Sequence, residues 1–415
     1  MRVAKYIVVF MLLCLVGMSG LLAQTPILDS VSLSTLSQRE YSQYMKKLRR
    51  DSIRANKAVW LSILGGPSYT PEASVGIGGA LLASFRINKN DSISQRSYIP
   101  AGFNVSINGT FIVAGAGVLF FNENKFKIYA NYAYRNEPAN FYGVGMREVD
   151  LYSDSLKNKL IDKSQTIYRR SYLSLNPRFT WSLGHNMYLG GIVAVNYNKV
   201  VKTDSNSVMQ RYLDDPNEST FQRKYHNIGL GVLFQYDTRN DVATPTSGLF
   251  ASASAQVYGK YFGGKYNYEL FELEYRQFQN VFRERSTLAW IAKTQIGVGD
   301  IPFTELPTFG SPNDLRGYLI GKYRDKSMAY GIVEYRHMFG SQEQYDMGKF
   351  LSKFGFVAWV GTGTIGETPK EWDKWKLNYG VGLRIQLQPG KNFRIDFGGG
   401  PGQKWGFYMN MTEAF

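Results

Sequence analysis

The sequence predicts an all-β protein, a transmembrane antiparallel β-barrel of about sixteen strands preceded by a short N-terminal helix. Three observations predict it. The composition is rich in strand formers and bend residues, with 29 Tyr, 26 Phe and 42 Gly in 415 residues. From about residue 58 onward, polar and apolar residues alternate with a period of two, which no helix shares. After the N-terminal leader no run of about 18 apolar residues remains to make a helical span.

The leader sets the compartment. Arg2 and Lys5 precede an apolar run from Ile7 to Val16, and Leu21-Leu22-Ala23-Gln24 follows. This is the pattern of a secretory signal peptide, residues 1–23, cleaved after Ala23. The lone cysteine, Cys14, lies in the signal core behind Leu13, where a lipidation site wants a small residue. The expected mature chain therefore has no thiol, disulfide or cysteine-based metal site.

Residues 24–57 form a polar periplasmic segment with one helical signal. Ser37 and Glu40 have capping-box spacing, and Leu36 with Tyr41 suits a hydrophobic staple. Tyr41, Tyr44, Met45 and Leu48 then share one face, and Lys46, Lys47, Arg49 and Arg50 lie largely off it. A short amphipathic helix is expected there as a plug, a membrane-surface element or a tether.

Residues 58–415 read as the barrel. In 375–387, Trp375, Leu377, Tyr379, Val381, Leu383, Ile385 and Leu387 fall on one face, opposite Lys376, Asn378, Gly380, Gly382, Arg384 and Gln386. Ile228, Leu230, Val232, Phe234 and Tyr236 alternate likewise, and Glu272, Glu274 and Arg276 oppose Phe271, Leu273 and Tyr275. One face suits lipid, and the charged face needs a hydrated lumen. Aromatic residues at the ends of the apolar faces resemble interfacial girdles and favour lipid over a sandwich core. Sixteen candidate strands follow, from 58–65 through 166–182 and 353–363 to 404–412. The long connections 136–165, 201–222 and 300–326 fall at the external end, while most periplasmic turns are short.

The formal charge of +15 comes from Lys and Arg scattered through strands and loops. No compact basic motif accompanies it, so an exported chain of this kind is not read as binding nucleic acid. His185, His226 and His337 are too dispersed to build a metal site, no G-x-S-x-G elbow occurs, and Gly398 to Gly402 lacks the Lys-Ser/Thr of a phosphate loop. Neither enzyme activity nor a cofactor is expected, and these glycines are read as relieving crowding inside the barrel.

Four motifs carry a resemblance. Gly310-Ser311-Pro312-Asn313-Asp314-Leu315-Arg316-Gly317-Tyr318 lies in the sixth external loop. Asp237-Thr238-Arg239-Asn240-Asp241, with Pro245 and Gly248, occupies the turn between the eighth and ninth strands. Phe141-Tyr142-Gly143-Val144-Gly145 follows the fifth strand, and the sequence ends Gly406 to Phe415 with a final aromatic. Together they resemble the BamA/TamA-type outer-membrane barrel superfamily, the bacterial surface antigen barrels, which includes two-partner secretion transporters and the chloroplast import channel.

The resemblance implies a bacterial outer-membrane protein acting in outer-membrane protein assembly or polypeptide translocation. It implies that loop six folds back into the lumen, with Leu315, Arg316, Gly317 and Tyr318 as its anchor. Phe415 would be the assembly signal, and the implied partners are outer-membrane lipid, the barrel-assembly machinery during biogenesis, and a client or periplasmic protein. Two departures stand out. Residues 24–57 are too short for a POTRA module, so a short form without such modules is expected. Gly361 also replaces the acid that the family often carries on the thirteenth strand. Arg316 then needs other partners, and lumen-facing Asp396 and Glu334 are the favoured candidates, ahead of Glu272 and Glu274.

The expected mechanism is a weak seam between the first strand, 58–65, and the last, 405–412. The alternative is a passive pore, with Lys127, Arg178, Lys293, Arg384 and Arg394 setting an anion preference, or a membrane platform for a separate partner protein.

Overall fold

A computed structural model describes residues 37–38, 41–42, 45, 59–70, 74–88, 91, 93–146, 149–150, 155, 163–282, 285–319, 321–340, 350–388, 391–401 and 405–415. The leader, its cleavage point and most of 24–57 lie outside these residues. Within that segment Gln38, Tyr41, Ser42 and Met45 are helical, and the Tyr41 N–H donates to the Ser37 carbonyl at 2.9 Å. Glu40, the other half of the capping box, lies outside the described residues.

The first half of the sheet contains β1 (Val59–Thr70), β2 (Ser74–Phe85), β3 (Ser97–Ser106), β4 (Phe111–Phe121), β5 (Phe126–Asn140), β6 (Ile167–Leu175), β7 (Arg178–Gly184), β8 (Met187–Thr203) and β9 (Lys224–Asp237). The second half contains β10 (Gly248–Tyr258), β11 (Tyr268–Asn280), β12 (Ser286–Gly299), β15 (Ser327–Met338), β16 (Phe354–Gly366), β17 (Lys376–Gln388), β18 (Lys391–Gly399) and β19 (Gly406–Met411). Between β12 and β15, β13 (Thr308–Phe309) and β14 (Tyr323–Arg324) pair as a separate two-stranded hairpin. The other 17 segments form one sheet.

Sixteen wall strands result, because β6 and β7 are halves of one strand: both pair with β5 on one side and β8 on the other. The expected continuous strand over 166–182 is broken at Asn176-Pro177, since proline has no N–H for the ladder. The backbone stays tied there, with Asn176 N–H on the Asn131 carbonyl and Val193 N–H on the Pro177 carbonyl.

Inside and outside follow the alternation. On β9, Tyr225, Asn227, Gly229, Leu233, Gln235 and Asp237 are buried, while Leu230, Val232 and Phe234 point out. The outer face presents Leu61, Ile63, Ile77, Leu273, Val381 and Phe407, an apolar surface suited to acyl chains. No described helix is long and apolar enough to cross a membrane.

Several boundaries differ from expectation, with β8 running on to Thr203 and β16 to Gly366. The first strand runs on to Thr70, because Gly65 and Gly66 face Gly79 and Gly78 in β2 and the ladder continues across them. The fifth strand extends to Asn140, which shortens the following loop. The last strand ends at Met411, after which the chain leaves the wall. A seven-residue helix, α1 (Val208–Asp214), also lies in the loop after β8 and was not expected. The Ser207 hydroxyl caps it, accepting from the Gln210 N–H at 3.0 Å.

Candidate functional site

The site is the lumen, and the loop over 300–326 builds its centre. At the tip, Asp314 organises a turn: its Oδ1 accepts from the Gly310 and Ser311 N–H groups at 2.7 Å each, and its Oδ2 accepts from the Ser311 hydroxyl at 2.6 Å. These bonds aim the next four residues at the wall. Leu315 is buried against Gly363, where a Cβ would lie 2.5 Å from Leu315 Cδ1.

Arg316 is fully buried. Its Nη1 donates to Asp396 Oδ2 at 2.7 Å and its Nη2 to Glu334 Oε1, while the guanidinium lies 3.6 Å over the Trp359 ring. The two carboxylates come from β18 and β15, so one side chain ties together wall strands that are not neighbours. Gly361 leaves no acid on β16; a Cβ there would lie 2.8 Å from Ile332 Cγ1.

Gly317 has φ +108, and a Cβ on it would come within 2.5 Å of Gly399 Cα, so only glycine fits the close approach of loop to wall. Its N–H donates to the Tyr408 hydroxyl at 2.8 Å. Tyr318 donates to the Leu377 carbonyl at 2.8 Å. Asn378 donates to the Arg316 carbonyl and its Oδ1 accepts from Trp359 Nε1. The run at 398–400 is thus the track on which the loop lies: Cβ atoms on Gly398 and Gly400 would lie 2.7 Å from the Arg316 carbonyl and 2.6 Å from the Tyr318 hydroxyl.

The same loop reaches the opposite wall through Glu305, which the motifs did not single out. Its carboxylate accepts from Asn227 Nδ2 at 2.7 Å, Asn196 Nδ2 at 2.9 Å and the Tyr268 hydroxyl. Burial pushes this carboxyl above its usual range, against those hydrogen bonds. Asp325, at the loop's other end, is pushed up to about 6, mainly by burial, with Glu371 and Glu367 adding repulsion.

Phe141 meets the loop from the 141–166 connection. It packs edge-on to Phe221 and Phe303, and Gly145 N–H donates to the Arg324 carbonyl at 2.9 Å. With Tyr168, Met209 and Leu306 these rings form one buried cluster against the 300–326 loop.

At the other end, Arg239 grips Asp237 with two bonds of 2.9 and 3.0 Å, and Lys127 Nζ lies 3.4 Å from the same carboxylate. Arg239 also lies 4.3 Å over the Phe250 ring. Gly248 has φ +95, and a Cβ would strike the Thr238 carbonyl at 2.2 Å. Pro245 is buried, and Ala243 packs with Leu82, Tyr98, Phe120 and Met411. Rather than projecting away from the barrel, this turn folds into its mouth. Phe415 is buried inside the lumen against Phe278, rather than lying on the wall as the end of a strand.

The basic residues that an anion pore would use are paired. Lys127 meets Asp237, Arg178 and Lys293 meet Glu272, Lys293 also meets Glu274, and Arg384 and Arg394 meet Asp396. Arg178 on β7 and Glu272 on β11 bridge strands four wall positions apart. Among the described residues, no group of three or more His, Cys, Asp or Glu could hold a metal.

This geometry can be set beside known proteins. No curated protein matches the chain. Among solved structures it is similar to BamA from Haemophilus ducreyi lacking POTRA domains 1–3, with 11% identity and a TM-score of 0.51 over 94% of this chain and 82% of that one. It is also similar to CdiB from Escherichia coli, with 9% identity and a TM-score of 0.50 over 86% of this chain and 62% of that one. At such identities the likeness speaks for the fold. The model of the Omp85 superfamily domain matches residues 120–415, which include the Phe141 element, the Asp237 turn and the Arg316 loop. The chain therefore belongs to the Omp85 superfamily and is a bacterial outer-membrane β-barrel.

Proposed function

We propose that this barrel assists outer-membrane protein assembly or polypeptide translocation, working with a separate protein that delivers the client. The observation that carries the reading is the lumen. A loop pinned by Arg316 between Glu334 and Asp396, basic residues held in ion pairs, and buried aromatic and apolar clusters leave little for a passive anion pore. A barrel whose lumen is filled in this way does its work at its wall.

The wall offers a seam. Among the described residues β19 pairs with β18 over six positions, Gly406 to Met411, whereas β11 and β12 pair over thirteen. β1 pairs with β2, and among the described residues no ladder joins β1 to β19, so parting the first strand from the last breaks fewer backbone hydrogen bonds than parting an interior pair. The first strand, twelve residues long, is the sturdier edge.

Cysteines introduced along β1 and β19 and joined by oxidation test this. With the seam locked, client insertion or passage is expected to fall at least tenfold and to recover on reduction; unchanged activity would remove the mechanism. In planar bilayers the unlocked barrel is expected to give small or flickering currents, and a large steady anion-selective current would favour the pore.

A further inference from the structure

Past Met411 the chain turns into the lumen through Thr412, at φ +68, a conformation a β-branched residue holds only when its surroundings impose it. The surroundings are specific. Thr412 N–H donates to the Asn392 carbonyl at 2.7 Å, and Glu413 N–H to the Ala243 carbonyl of the inserted turn at 3.1 Å. Glu413 Oε1 accepts from Asn392 Nδ2 at 2.9 Å, and Oε2 from Arg384 Nε at 2.7 Å. Phe415 sits under Arg336, whose guanidinium lies 4.8 Å over the ring and donates to the Phe415 backbone oxygen at 3.2 Å.

These contacts close a circuit. Arg316 bonds Glu334; Glu334 accepts from Arg336 at 2.9 Å; Arg336 lies 3.9 Å from Glu413; Glu413 accepts from Arg384; Arg384 donates to Asp396 at 2.6 Å; and Asp396 accepts from Arg316. Three arginines and three carboxylates alternate around a buried ring. Removing Glu413 leaves two buried arginines, Arg336 and Arg384, short of a partner, so the loss is felt around the whole ring. Arg316 belongs to the external loop and Glu413 to the segment that continues the last strand. The ring is therefore a physical link between the loop and the end of β19.

We propose that residues 412–415 are an internal latch, which holds the end of the last strand inside the lumen and, through the Glu413 carboxylate, keeps the 300–326 loop seated. Withdrawal of the latch loosens the loop, and it frees β19 from its tether at the seam. The burial of Phe415 belongs to the same device: an aromatic accessible in the unfolded chain is taken inside once the barrel has closed.

The test uses the full-length barrel in lipid vesicles, with Cys14→Ser in the background and Ala414→Cys as a reporter. A hydrophilic maleimide should label Ala414→Cys at least tenfold more slowly than Tyr261→Cys, which is fully exposed on an external loop. Glu413→Gln, and separately Phe415→Ala, should raise that labelling tenfold. Both should also raise tryptic cleavage after Arg316 by at least fivefold in barrels that keep heat-modifiable migration. Glu413→Asp should restore protection at both places. Fast labelling of Ala414→Cys in the otherwise unaltered barrel would overturn the proposal. So would release of the segment with cleavage at Arg316 unchanged. If Glu413→Gln does not fold, Phe415→Ala with the same two readouts decides. Neither readout involves a client, so failure here leaves the proposed function standing.

Discussion

One loop is pinned to the two sides of the lumen by two buried charges of opposite kind. Arg316 is held by carboxylates on β15 and β18 and is wedged over Trp359. Glu305 is held by neutral donors on β8, β9 and β11: Asn196, Asn227 and Tyr268. The difference teaches how each anchor is held. The arginine can be freed only by breaking ion pairs, whereas burial favours the protonated form of the glutamate, so a proton secures that anchor rather than releasing it.

Removing the charged anchor should have the largest effect. Arg316→Ala leaves Glu334 and Asp396 buried with less compensation, and its loss should destabilise the barrel by about 3–5 kcal/mol. The denaturant midpoint should fall, and the 300–326 loop should become open to proteinase K. Arg316→Lys should not restore protection, since a single ammonium cannot span two carboxylates as the guanidinium fork does.

Truncating the neutral-donor anchor should matter less. Glu305→Ala strands three donors in the lumen, at about 1–3 kcal/mol for each left unsatisfied, before waters enter. Glu305→Gln should fall between wild type and Glu305→Ala, because its amide oxygen keeps part of the acceptor role. Equal effects from Arg316→Ala and Glu305→Ala would break the comparison.

The smallest effect is the one on pH. Glu305 and Asp325 bind protons more tightly in the folded protein than in the unfolded chain, so their contribution favours the folded state at low pH. It is lost as pH rises; for Asp325 the loss begins near its ordinary value of 3.8 and is complete above about 6. The loop should therefore resist proteolysis better at pH 5 than at pH 7.5. Asp325→Asn should flatten the dependence, and a loop that loosens toward acid instead would refute this account.

Much of this was legible because alternation is a local property. The faces of β9, β11 and β17 could be read directly, and Asp396 and Glu334 stood out as acids on inward positions. The contact between Phe141 and Phe303, by contrast, joins loops far apart in sequence. Glu305 carried no motif, and its three partners come from three strands. Glu413 is one acid in a short tail, and only the turn at Thr412 makes it lumenal. The helix over Val208–Asp214 had a signal that a close reading could have found: Ser207 as its cap, with Val208, Met209, Tyr212 and Leu213 on one face.

By itself the sequence determined that this chain is a barrel of about sixteen wall strands, which faces of β9, β11 and β17 are apolar, and which loop carries the arginine. Those features follow from side-chain period and local turn chemistry. Only the tertiary structure decided that buried clusters form on the 300–326 loop and around the Asp237 turn, that the 398–400 glycines are a seat for the loop, and that a ring of six charges joins that loop to the residue after Thr412. Such pairings depend on which strands face each other across the lumen, a distance along the chain that no local pattern encodes.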